Sequence, residues 1–119
     1  MTTFYNKLGV ALAYISDDNQ YIYLYNGTPV AWLSDENIYA YSGRYLGWIV
    51  NGVAYDRNGN AAFFTENSSG GPVKPPRAPR PPRGPRGPRP PRGAREPRPP
   101  RPARSLSWSH LSNEKYFTQ

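Results

Sequence analysis

Ten arginines stand at every third position near the C-terminal end of this 119-residue chain: Arg77, Arg80, Arg83, Arg86, Arg89, Arg92, Arg95, Arg98, Arg101 and Arg104. A guanidinium is planar, always charged, and offers five N–H donors in a fork that matches a phosphate or carboxylate. A polyproline II helix turns once in three residues and rises about 3.1 Å per residue, so this spacing lines the ten guanidiniums on one ridge, roughly 9 Å apart. Such a ridge can recognise a polyanion through many salt-dependent phosphate contacts that are blind to base sequence. No aromatic residue stands between Arg77 and Arg104, so base stacking on the arm itself is not expected.

The column preceding each Arg is Pro, with Ala94 and Ala103 as exceptions. The remaining column is mixed: Pro75, Ala78, Pro81, Gly84, Gly87, Pro90, Gly93, Glu96, Pro99 and Pro102. Glycine fills three of those ten positions, which excludes collagen, where the crowded axis demands it at all of them. The Pro column, as in the run from Arg77 to Pro82, suits the aromatic grooves that bind polyproline II ligands. A solubilising spacer grown by triplet expansion is a further reading. The composition of the arm, and of the arm alone, also resembles proline- and arginine-rich antimicrobial peptides.

Other chemistry is scarce. There is no Cys, so thiolate nucleophiles, disulfides and Cys-held metals are out. His110 is the one histidine and lies in a short terminal block, without a frame for a Ser-His-Asp arrangement. No Walker loop, GxGxxG, HExxH or nucleophile elbow occurs. The acidic pairs Asp17-Asp18 and Asp35-Glu36 are placed for turn chemistry; gathered at one end of the fold they would offer oxygen ligands to a hard cation. The chain is read as non-enzymatic, with no cofactor or metal.

What must carry the arm is the other half. An aromatic residue, a Gly four positions on and a second aromatic five positions later recur four times: Tyr5-Gly9-Tyr14, Tyr23-Gly27-Trp32, Tyr39-Gly43-Trp48 and Tyr55-Gly59-Phe64. The last three copies hold a 16-residue period. Each copy reads as a β-hairpin, with Asn26-Gly27, Ser42-Gly43 and Asn58-Gly59 expected at type I′ tips. Leu8-Gly9 suits that turn poorly, so the first tip is expected to differ. A two-residue turn would set Tyr23 opposite Val30 and Ile22 opposite Ala31. One face then shows Tyr23, Tyr25, Val30 and Trp32, the other Ile22, Ala31 and Leu33. A lone hairpin is marginal in water, so four similar ones are expected to close into an all-β ring with pseudo-four-fold symmetry. The aromatic set is expected to be core and cross-strand pairs, with a ligand cup as the alternative.

The run Ile38-Tyr-Ala-Tyr-Ser-Gly-Arg-Tyr-Leu-Gly-Trp-Ile49, its copy Ile22 to Leu33, and Tyr55-Asp-Arg-Asn-Gly59 resemble the repeats of the four-fold β-flower domain, a small bacterial family. The resemblance covers about residues 3–66. It implies four hairpins about a pseudo-four-fold axis and carries no activity. Tyr-Asp-x-x-Gly also resembles the YD repeats of large surface toxins, which run in long arrays of longer period.

Residues 1–71 hold three basic and six acidic side chains, a net of −3; residues 72–119 hold twelve and two, a net of +10, and together they make +7. The expected organisation is a four-hairpin domain (1–67), a flexible linker (68–74), a disordered polyproline II-like arm (75–104) and a C-terminal linear motif (105–119) bearing Trp108, Leu111, Tyr116 and Phe117. Ser109 is placed to cap a short helix there. The arm is expected to touch the acidic loops loosely and in a salt-sensitive way. Two functions follow: an adaptor presenting the arm and the aromatic motif to a partner protein, or a sequence-blind binder of RNA, DNA or another polyanion. The start lacks the features of a signal peptide and no apolar run reaches membrane-span length, so a cytoplasmic protein is the expectation.

Overall fold

The computed structural model describes residues 2–111 and 113–119. Eight antiparallel strands follow one another around a closed barrel. They are β1 (Thr2–Tyr5), β2 (Ala11–Ile15), β3 (Tyr21–Leu24), β4 (Pro29–Ser34), β5 (Asn37–Tyr39), β6 (Tyr45–Val50), β7 (Val53–Asp56) and β8 (Ala61–Phe64). One further element, α1 (Asn113–Tyr116), is a single helical turn. Strands β1–β2, β3–β4, β5–β6 and β7–β8 are the four expected hairpins, and Tyr5 opposite Phe64 closes the ring.

The tips are not type I′ turns. In each, the Gly N–H donates to the carbonyl three residues back (Gly9 to Asn6, Gly27 to Leu24, Gly43 to Ala40, Gly59 to Asp56). Only the Gly has positive φ, +80° to +95°. This is a type I turn followed by a glycine bulge, which needs a left-handed residue at one position. Leu8, Asn26, Ser42 and Asn58 hold ordinary φ, so Leu8 is no misfit and all four tips are alike. The extra turn residue shifts the register by one, leaving Tyr23 opposite Pro29; a bulge one step further restores it, so Ile22 still faces Ala31. The same shift occurs in every hairpin. It turns Leu12, Val30, Leu46 and Ala62 away from the aromatic face and into the inner cluster, because a one-residue slip swaps the faces of a strand. The Asn-Gly type I′ geometry occurs instead between hairpins, at Asn51-Gly52, where φ is +52° and +77°.

Inside, each hairpin sets one large residue against one small: Phe4 with Ala13, Ile22 with Ala31, Ile38 with Gly47, and Phe63 with Ala54. All are buried. Outside, the aromatics pair across the seams between hairpins. Tyr5 stacks on Phe64, Tyr14 on Tyr23, Trp32 on Tyr39 and Trp48 on Tyr55, with centroids 5.0–5.7 Å apart. The two aromatics of one repeat therefore bind different neighbours, and the motif is the adhesive of the ring.

Candidate functional site: an arginine belt on an aromatic wall

The arm is not a free, disordered tail. The Cα radius of gyration is 13.3 Å, against about 13.5 Å for a compact chain of this length. Residues 75–104 have no regular hydrogen-bonded structure of their own, and they lie around the barrel at its hairpin tips. Thirty residues at about 3.1 Å each span roughly 93 Å, the girth of a circle about 30 Å across. The molecule measures 37 × 36 × 23 Å, so this length of extended chain passes most of the way around it, from the first tip to the fourth.

The path is fixed by a nine-residue step. The N–H groups of Ala78, Gly87, Glu96 and Ser105 donate to the carbonyls of Gly9, Gly27, Gly43 and Gly59 at 2.8, 2.9, 2.9 and 2.9 Å. Between these, Gly84 and Gly93 donate to Tyr25 and Tyr41, both at 2.6 Å. Three triplets thus serve one hairpin. Every non-proline residue of the mixed column from 75 to 102 is one of these donors; the prolines fall where no bond is made. The turn glycines are needed twice, for positive φ and for clearance: a Cβ at Gly9, Gly27 or Gly43 would collide with the carbonyl of Pro76, Pro85 or Ala94.

The same step places the guanidiniums over the rings. Arg77 lies over Tyr5, Arg86 over Tyr14 and Tyr23, and Arg95 over Trp32 and Tyr39, so each straddles or borders a seam. Arg83, Arg92 and Arg101 lie over Tyr14, Trp32 and Trp48, and Arg89 sits 3.9 Å from the centroid of Tyr21. A cation over a ring face is attracted by its quadrupole. Stacking occupies the faces of a guanidinium and leaves its in-plane donors for hydrogen bonds; Arg86 Nε donates to the Tyr14 hydroxyl at 3.2 Å and Arg95 to the Ser34 hydroxyl at 2.8 Å. Arg80, Arg98 and Arg104 stack on none of these rings. All ten arginines remain exposed.

Charge pairing is the lesser part of the contact. Arg101 meets Glu36 at 2.9 Å and donates to Asn37 Oδ1 at 2.8 Å. Arg57 on the fourth tip approaches Glu96 at 3.6 Å, and the Tyr45 N–H donates to Glu96 Oε1 at 2.6 Å. Asp17 is held below the usual carboxylate range by the N-terminus first and then by the charges of Arg86 and Arg83, while Asp18 serves its own turn. Asp18 accepts from the Ser16 hydroxyl and the Gln20 N–H, and the Ser16 bond chiefly holds its carboxyl below the usual range. Among the described residues, no three of His, Asp and Glu gather in a metal-binding group.

The C-terminal block is bound too. Trp108 bridges Ala61 as a short parallel pair and leans on Phe64. Ser109 does not cap α1; its hydroxyl donates to the buried Asp56 carboxylate at 2.5 Å and accepts from the Leu111 N–H. Tyr116 and Phe117 enter the inner cluster beside Phe63. The Tyr116 hydroxyl donates to the Tyr55 carbonyl at 2.8 Å, and complete burial pushes its pKa well up. Gly47 makes this possible, since a Cβ there would strike the Tyr116 hydroxyl and the Tyr55 carbonyl. Of the four aromatic-motif residues, Trp108 and Leu111 are half-buried and Tyr116 and Phe117 buried.

The nine-residue step was written in the sequence. Residues 75–83, 84–92 and 93–101 are three versions of one block, and it escapes notice behind the stronger triplet period.

The chain belongs to the 4-fold beta flower protein family, whose model matches residues 2–117, arm and end block included. No curated protein and no solved structure matches it. Among the described residues, no helix is long and apolar enough to cross a membrane.

Proposed function

We propose that this protein is a non-enzymatic, sequence-nonspecific nucleic-acid binder that works through its arginine belt. The observation that carries this reading is that all ten guanidiniums are exposed while seven of them rest on barrel rings. A loose cationic arm would lose conformational freedom on meeting a phosphate chain; a belt already ordered by folding loses little. Regularly spaced, outward-facing forks suit the repeating phosphates of a flexible single strand. The aromatic faces are taken by the arginines, so stacking of bases contributes little and sequence preference is weak. The adaptor reading asks more of the molecule, because Trp108, Tyr116 and Phe117 would have to leave the barrel to be presented.

Binding of a fluorescent single-stranded RNA of about 30 nucleotides, followed against salt, tests the proposal. Log affinity should fall with log salt at about −0.7 per phosphate neutralised. Replacing Arg80, Arg98 and Arg104 together by Gln, which leaves the stacked residues in place, should flatten that slope by about 2. Absence of binding at low salt, or a slope unchanged in the triple variant, would refute it.

A further inference from the structure

We propose that the outer face of the barrel is a receptor for polyproline II peptides that reads a nine-residue code, and that the arm of a second copy of this chain can fill it. The arm's seat has the parts of a peptide groove: aromatic walls, a line of free carbonyls at the tips, and closely spaced glycines. It reads three features. Arg is needed at 77, 83, 86, 92, 95 and 101 to reach Tyr5, Tyr14, Tyr23, Trp32, Tyr39 and Trp48. Residues 78, 87 and 96 must have an N–H for Gly9, Gly27 and Gly43, so proline is refused there although it is welcome at 81, 90 and 99. Residues 84 and 93 must be Gly, because a Cβ at Gly84 would lie 2.6 Å from the Asn26 carbonyl, and one at Gly93 would collide with that of Ser42.

Nothing in this code requires the arm to be covalently attached. The chain enters the belt through Ser68–Lys74, where Gly70 and Gly71 adopt positive φ and Val73 is exposed. The belt begins at the first tip and ends at the fourth, beside its own start, where Trp108, Tyr116 and Phe117 hold the far end, so a cut at the linker leaves a single anchored end to exchange. The one sequence certain to satisfy the code is the arm itself. A second copy's arm would make the same contacts. A tethered arm competes at about millimolar effective concentration, so the intact protein keeps its own, and exchange shows once the tether is cut.

The test uses the full chain with a protease site inserted between Gly70 and Gly71. The folded protein is cleaved, and a fluorescent peptide of residues 72–119 is added as the second copy's arm. Expected is a nicked protein that stays folded with its arm bound, and that takes up the labelled peptide over time. A competitor made of the same triplets, reordered so that proline falls at 78, 87 and 96, should compete at least tenfold more weakly at identical charge and composition. Equal competition by the reordered peptide would overturn the code. Unfolding of the barrel on cleavage, or a bound arm that never exchanges, would overturn the receptor.

Discussion

The N–H of Gly87 donates to the carbonyl of Gly27 at 2.9 Å, across 60 residues of chain. One hairpin earlier, Ala78 does the same to Gly9, and one later Glu96 does it to Gly43. The relationship binds the period of the arm to the period of the barrel. Three triplets of the arm pass for each β-hairpin, and two repeats of unlike geometry keep step around one axis.

That register decides what holds the arm. Its anchors are backbone hydrogen bonds and ring faces, with few carboxylates, so a loose salt-sensitive contact is replaced by a fixed one. At 1 M salt the Debye length is about 3 Å, and exposed ion pairs contribute little even at low salt. Small-angle scattering should therefore give the same compact radius of gyration at low salt and at 1 M. An increase of several ångström at high salt would show that charge holds the belt down. Nucleic acid should be stripped by the same salt, which separates the two uses of the arginines.

Trp48 is buried between Tyr55 and the Arg101 guanidinium. Trp48→Ala should cost about 3–5 kcal/mol, a large share of the ~5–15 kcal/mol of a typical domain. Thermal unfolding should move down steeply or vanish. Wild-type melting would mean that the wall is not part of the core.

Gly47 and Tyr116 form a lock within the barrel. Gly47→Ala would press its methyl on the Tyr55 carbonyl of β7 as well as on the phenol hydroxyl, so the clean test is Tyr116→Ala, which leaves the sheet backbone untouched and removes the phenol from the space beside Gly47. The barrel strands should survive while the end block comes loose, read as faster amide exchange and protease cleavage after Arg104. Protection of residues 113–117 equal to wild type would count against the lock.

Base should open the molecule. Burial raises the pKa of Tyr116, Tyr45 and Tyr5 and that of Tyr41 to about 12; the Tyr41 hydroxyl has no hydrogen-bond partner. A phenol is neutral when protonated, and here the folded state holds the proton more tightly than the unfolded chain, whose tyrosines titrate near pH 10. Their contribution is whole below about pH 10 and is lost as pH rises from there through the folded values. Tyrosinate absorbance and far-ultraviolet circular dichroism, followed from pH 9 to 12.5, should show these four tyrosines ionising together with loss of structure. A smooth titration with the fold intact would contradict this.

The aromatic-Gly-aromatic spacing by itself determined the four hairpins, their closure and which strands neighbour, because a side chain's face follows from strand alternation and short connections leave no other partners. It also determined that the arginines share a period. It did not determine the turn type: Asn26-Gly27 satisfies both a type I′ turn and a type I turn with a glycine bulge, and only the bulge inside the closed barrel shows which. The fates of Leu12, Val30, Leu46 and Ala62 depended on that one residue of slip. The position of the arm was decided by tertiary structure alone. Pro and Arg composition signals a chain with no core of its own, and that is true of residues 75–104; their order comes from rings and tip carbonyls that another part of the chain must first assemble. Gly47, which reads as a weak point in a strand, becomes intelligible only when Tyr116, 69 positions later, fills the space it leaves.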